Sequence, residues 1–342
     1  MAEEAETEEW THEDIVDRGV PFRVLIIGRA NAGKTTILER LCESTVEEAK
    51  IFRNGVLTER RMEKGERGRG NHDIEDAMVF PSLPGFVFHD SRGLESGADT
   101  EVTTIEAFVK DRTQSVKDKR QQLHAIWICL SLDDNHRPLS DAEEKLCRVD
   151  SHGVPVIAIF TKSDAIYNDI FNKERNNGGS TALEASKKAK TAVEEAIKQG
   201  IEKIRNNLDP GRFRQSNCIT APDLRNPDEN VRLRKPNENV LRKHKEKCEA
   251  FCQDLISRTQ NLLPSSKMQA LLVTVWRNNI SERTVWVFRS LLNRICVSSA
   301  SFKLWARRSA LKCRHIDHSS RVKKITKQTV ARHAAVFLPV RI

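Results

Sequence analysis

Long apolar runs are the first thing this 342-residue sequence lacks. Those it has, such as VLII at 24–27 and VPVIAIF at 154–160, fall far short of the roughly 20 residues that a membrane-spanning helix needs, so no spanning helix is expected. The opening MAEEAETEEW has neither the basic start nor the apolar stretch of a secretory signal, and residues 1–19 read as an acidic, disordered lead-in. Paired cysteine spacing is missing too. Eight cysteines are scattered along the chain; Cys248 and Cys252 lie four apart, and Cys313 lies near His315 and His318, without the paired units of a structural zinc module. Free thiols in a cytoplasmic protein are the expectation. Acid is scarce at one end only. Residues 281–342 hold 14 Lys or Arg against Glu282 and Asp317, a net of +12 within an overall +9. The rest of the chain is therefore mildly acidic, and any anion-binding argument has to be local. No internal repeat is visible.

What is present is alternation. β-rich runs at 22–27, 77–80, 86–89, 123–130, 154–160 and 217–220 are separated by helical patterns at 35–42, 102–121, 140–149 and 181–206, and a polar helix is expected over about 240–263. This order predicts an α/β fold, a mostly parallel sheet with helices on both faces. The near-continuous apolar strand at 154–160 suits burial on both sides. Residues 54–73 and 221–239, rich in Gly, Pro, Asn and charge, read as mobile loops. The expected organisation is a lead-in at 1–19, one main domain at 20–265, and a C-terminal extension at 266–342, helical at first and then basic and poorly ordered. Beyond residue 297 there is no sustained periodicity and Asp317 is the one acid. That pattern fits an RNA- or anionic-membrane-binding tail, and equally an out-of-frame end of a gene prediction.

GRANAGKT at 28–35 matches GxxxxGK[ST], follows an apolar strand and opens a helix. Gly28 and Gly33 let backbone N–H groups wrap a β-phosphate, with Asn31 and Ala32 completing the loop and Thr36 following it. Lys34 reaches the β- and γ-oxygens, and Thr35 offers a hydroxyl to Mg²⁺. Phosphate loops serve several nucleotides, so the base must be read elsewhere. After the strand at 154–160 comes Thr161-Lys162-Ser163-Asp164, which fits [NT]KxD. A carboxylate at Asp164 accepts from the ring N–H and the 2-amino group of guanine, while the Lys162 stem lies along the base. Between the two motifs, Asp90-Ser91-Arg92-Gly93 reads DxxG: Asp90 for Mg²⁺ through water, Gly93 N–H for the γ-phosphate. Thr220 and Ala221, after the last strand, loosely echo a guanine-closing Ser-Ala pair.

Three motifs in this order resemble the translation-factor-related P-loop GTPases, nearest the Era-like and 50S ribosome-binding group. RGNHDIEDAMVF, PGFVFHDSRGLESG and LHAIWICLSLDDNHRPLSDAEE further resemble fungal G-domain-containing proteins whose cellular role is unassigned. The resemblance spans about residues 20–265. It implies a Ras-like P-loop NTPase fold, GTP and GDP as ligands with Mg²⁺, and a nucleotide-dependent switch acting on an unidentified protein effector.

Catalysis is where the pattern is incomplete. Leu94 stands where a Ras-like GTPase has its water-positioning Gln, and an apolar side chain orients no water. Relatives with an apolar residue there use K⁺ held by a phosphate-loop Asn, and Asn31 matches that position. Thr58 is the candidate switch threonine for Mg²⁺ and the γ-phosphate, with Lys34 and Asn31 completing the catalytic set. Arg67, Arg69 and Arg92 are candidate charge-neutralising arginines. The leading expectation is slow GTP hydrolysis. A guanine-nucleotide-binding module without turnover and an RNA- or ribosome-associated GTPase stand beside it, and an ATPase is disfavoured by Asp164.

Overall fold

The computed structural model describes residues 20–53, 55–58, 73–91, 99–113, 118–132, 139–176, 180–207, 217–225 and 238–276. The chain divides into two units after Val275, and the description below concerns the first.

Eight strands form one sheet in the order β3-β2-β4-β5-β1-β6-β7-β8. They are β1 (Phe22–Gly28), β2 (Lys50–Arg53), β3 (Val56–Leu57), β4 (Ala77–Val79), β5 (Phe86–Asp90), β6 (Ala125–Ser131), β7 (Val156–Thr161) and β8 (Cys218–Thr220). From β5 through β8 every neighbouring pair is parallel; β2, β3 and β4 join the far side antiparallel. β1, β6 and β7 are buried at every position. That is why they read as unbroken apolar runs, since helices cover both faces of a parallel sheet.

The helices are α1 (Lys34–Cys42), α2 (Asp99–Asp111), α3 (Asp141–Arg148), α4 (Ser163–Asn176), α5 (Ala182–Asn207) and α6 (Glu238–Leu262). One core layer joins Leu25, Ile27, Ile126 and Ile128 of the sheet to Phe108 of α2, Leu146 of α3, Ile166 of α4 and Ile204 of α5. On the other face, Phe88 and Trp127 approach at 6.2 Å between rings, and Trp127 Nε1 donates to Thr259 Oγ1 of α6 at 3.2 Å. That hydroxyl donates onward to Leu255 O at 2.7 Å, so the buried polar groups of this layer are satisfied internally.

Several expected boundaries shift. α2 ends at Asp111 instead of near 121: Thr113 turns its hydroxyl back onto Val109 O at 2.8 Å, a bond by which Thr competes with the helical ladder. A separate 3₁₀ turn, Lys119–Gln121, is capped by Asp118. α4 lies in a stretch to which the sequence pattern assigned no element, although Ile166, Tyr167, Ile170 and Phe171 have the spacing of one helical face. The hairpin β2–β3 occupies part of the stretch expected to be mobile. A further helix covers 266–276 with Leu271, Leu272 and Val275 buried, so the compact unit continues past residue 265.

Candidate functional site

The C-terminal ends of the parallel strands carry the site, as open α/β sheets dictate. β1 delivers Gly28, which pairs with Cys129 of β6. A Cβ at Gly28 would lie 2.7 Å from Cys129 O, closer than any side chain tolerates, so the strand can pass into the loop only as glycine. The loop then turns through Asn31 at φ 61° and Gly33 at φ 86°. Asn accepts the left-handed region by local hydrogen bonding, and Gly at no steric cost. Ala32 N–H closes the turn on Arg29 O at 3.1 Å. Gly33 is the N-cap of α1 and has no side chain with which to cap, so the first backbone N–H groups of the helix remain for an anion.

Lys34 is buried, its Nζ donating to Gly28 O at 3.0 Å and Arg29 O at 3.2 Å. The ammonium is thereby folded over the loop whose amides form the cradle. Thr35 and Thr36 are half-buried at the start of α1. Asp90 ends β5 opposite Ile26, and Ser91 N–H bonds Ile26 O at 3.1 Å. Cys129 lies beneath: burial pushes its thiol up to about 12, with Lys34 pulling down and Asp90 pushing up. Both charges therefore act on one point under the loop, and the thiol stays inert at neutral pH. The six described cysteines are all buried thiols.

Arg29, the second loop residue, pairs with Glu143 of α3 at 3.6 Å. Glu143 is almost wholly buried and also accepts Ser131 N–H and Ser140 N–H, each at 2.9 Å. Its role escaped the sequence reading, although SxxE at 140–143 is a capping-box signal.

The base side is built from β7 and β8. Thr161 Oγ1 donates to Ala32 O at 2.8 Å, tying the TKSD motif to the phosphate loop. Lys162 follows at φ 57°, and Asp164 sits in the first turn of α4. Ala221 N–H bonds Phe160 O at 2.8 Å and Ser163 Oγ donates to Ala221 O at 3.4 Å, so Thr220 and Ala221 lie beside the motif. Burial raises the pKa of Asp164, Asp223 raises it further, and Arg225, which holds the carboxylate in an ion pair, lowers it. Asp223 and Arg225 were missed by the sequence reading; their only signal is charge immediately after β8.

Thr58 directly follows β3. Its N–H and hydroxyl both bond Ile51 O, at 2.8 and 3.1 Å, closing the β2–β3 hairpin at the edge of the sheet. β3 is four strands from β1, roughly 19 Å at ordinary strand spacing. Thr58 is thus committed to the hairpin and is not brought to the loop. Gly93, Leu94, Arg92, Arg67, Arg69 and the basic tail lie outside the described residues.

The donor chemistry fits magnesium. A threonine hydroxyl and one carboxylate, Thr35 and Asp90, are hard oxygen donors of the kind Mg²⁺ takes alongside phosphates and water. Among the described residues no cluster of three or more His, Cys, Asp or Glu could hold a metal without a ligand's help. No described helix is long and apolar enough to cross a membrane.

Residues 23–162 match the family model described as 50S ribosome-binding GTPase. No curated protein matches the chain. The match stops at Lys162, two residues short of Asp164 and short of β8.

Proposed function

We propose, from the match of residues 23–162 to the family model described as 50S ribosome-binding GTPase, that this protein binds GTP and GDP with Mg²⁺, hydrolyses GTP slowly and changes conformation with the nucleotide. The observation that carries this reading is the bond from Thr161 Oγ1 to Ala32 O, which holds a phosphate loop and a guanine-reading motif in one constellation. Lys34 exchanges its carbonyl partners for the β- and γ-oxygens. Thr35 and, through water, Asp90 would hold the magnesium ion, which would supply charge neutralisation at the phosphates. Asp164 accepts the two guanine donors while Thr220 and Ala221 close over the base.

Slow turnover follows from what the loops present. Leu94 orients no water, and Thr58 is held at the sheet edge, so charge on the transferring phosphoryl group needs another partner. Asn31 stands at the turn of the loop, exposed, where its carbonyl can hold K⁺ against the phosphates and stabilise that charge. The same two features favour a second reading, a guanine-nucleotide-binding module without turnover.

The test is nucleotide binding and GTP turnover by the full chain in KCl and in NaCl. Lys34→Ala is expected to weaken GDP binding tenfold or more, by about 1.4 kcal/mol at least. Asp164→Asn should move preference from guanine toward xanthine, whose 2-oxo group accepts from the new amide. Faster turnover in potassium, lost in Asn31→Ala, supports cation-assisted hydrolysis. Binding without turnover in either salt selects the second reading, and equal affinity for GDP and ADP would sink both.

A further inference from the structure

A charged group that the nucleotide chemistry leaves unused reaches the base side of the site. Arg225 lies four residues past Ala221, on the segment that follows β8. One of its terminal nitrogens donates to Asp164 Oδ2 and also reaches Asp223 Oδ2 at 3.1 Å. Its Nε and its backbone N–H each donate to Asp223 Oδ1 at 3.0 Å. A single guanidinium therefore bridges two carboxylates, one of them the residue assigned to read the base. The arm that carries it is anchored on the far side, where His244 Nε2–H of α6 donates to Asp223 O at 2.7 Å.

To a carboxylate, a guanidinium and the edge of guanine look alike. N1–H and the 2-amino group flank C2 of the base as two N–H groups flank Cζ of arginine, planar and with parallel donors. Here Nε and one terminal nitrogen face Asp223, and that terminal nitrogen alone reaches Asp164, filling one of the two acceptor positions a guanine would use. Asp164 Oδ2 cannot receive a base in the line of approach that Arg225 fills. We propose that Arg225 is a built-in surrogate for guanine, competing with the base for Asp164, so that nucleotide enters only as the arm at 223–225 releases the carboxylate. This rests on Asp164 being the guanine-reading residue.

The competition has a signature that separates it from a positioning role. It lowers apparent affinity for the bases that draw on Asp164, guanine and hypoxanthine alike, by the fraction of molecules in which Arg225 holds the carboxylate, and it leaves the ratio between those two unchanged. An Arg225 that instead orients Asp164 for the base would raise affinity. The arginine side chain is about half exposed, so the contact is partly screened and its effect modest.

The experiment is equilibrium binding of GDP, IDP and ADP to the full chain at low and high salt, for wild type, Arg225→Ala, Arg225→Lys and Asp164→Asn, with circular dichroism to establish folding. Arg225→Ala is expected to bind GDP about three- to tenfold tighter than wild type, with the advantage shrinking as salt screens the pair in wild type and the GDP-to-IDP ratio unmoved. Arg225→Lys, which keeps the charge and loses the planar donor pair, should fall between and serves if the alanine variant does not fold. Unchanged or weaker GDP binding in both arginine variants overturns the surrogate while leaving the guanine reading intact. If Asp164→Asn keeps full preference for GDP over ADP, the base-reading assignment itself fails, and the surrogate with it.

Discussion

Three side chains at the base of the sheet illustrate how single residues set the chemistry of this molecule. Arg23 of β1 is buried, and burial with Arg112 nearby brings its pKa down to about 10. It donates to His89 Nε2 at 2.8 Å and to Arg120 O at 2.8 Å, while its backbone N–H donates to His124 Nδ1 at 3.0 Å. Both imidazoles accept, so both are neutral, and His89 Nδ1–H is left to donate to Ile74 O at 2.8 Å. Burial, with Arg23 adding repulsion, lowers each to about 3. In the unfolded chain both regain protons near pH 6.5, so between about 6.5 and 3 the unfolded state binds more protons and stability falls as pH falls. Together they contribute a slope approaching about 2.7 kcal/mol per pH unit toward the acid end of that window. Urea unfolding midpoints measured from pH 7 down to about 5, above most carboxylate titration, should show this loss. His124→Gln, which retains an acceptor, should remove about half of it if folding survives. A flat profile would mean the histidines are solvated.

At the scale of an element, α3 does more than cover the sheet. Its capping box joins Ser140 and Glu143 reciprocally, and the same Glu143 carboxylate reaches the end of β6 through Ser131 N–H and the phosphate loop through Arg29. Ser140→Ala removes only the cap and is expected to cost about 1 kcal/mol. Glu143→Ala strands two backbone N–H groups in the interior and should cost about 2–3 kcal/mol, with a loss of nucleotide affinity that Ser140→Ala lacks, because Arg29 goes free. Chemical denaturation read beside GDP binding checks both. Equal effects of the two substitutions on binding would remove Glu143 from any role at the loop. SxxE was legible in the sequence as a helix start. Its second task was not, since nothing local places Glu143 beside Ser131, or Arg29 of the loop beside either.

For the whole molecule, the boundary of the compact unit is the quantity most open to test. Leu271, Leu272 and Val275 are buried, and Val275 Cγ1 would stand 2.9 Å from a Cβ at Gly85, so the helix at 266–276 packs on the turn that leads into β5. A chain ending after residue 265 loses three buried side chains, each contributing roughly 1.5–3 kcal/mol, and its melting temperature should drop by several degrees or more. A chain ending after 276 should melt close to the full protein. Identical melting of the two truncations would show the helix to be dispensable.

The phosphate loop, the DxxG and TKSD motifs and the parallel centre of the sheet were legible in the sequence because their determinants are local: residue types that must occur together along a few positions, and strands buried on both faces. The edge hairpin, α4 and the end of α2 were not, because short strands and half-polar helices take their state from what they pack against. The place of Thr58 was not legible for the same reason. Its identity suited a magnesium ligand, but only strand order could reveal that β3 lies at the far edge. Arg225 is the complement of that case. Its type suggested nothing, and it gained meaning only when the turn after β8 carried it to Asp164, 61 residues away. Sequence alone determined which chemistry the chain can offer a nucleotide; the tertiary structure decided which groups meet, because meeting depends on sheet order and crossover geometry, which no local pattern encodes.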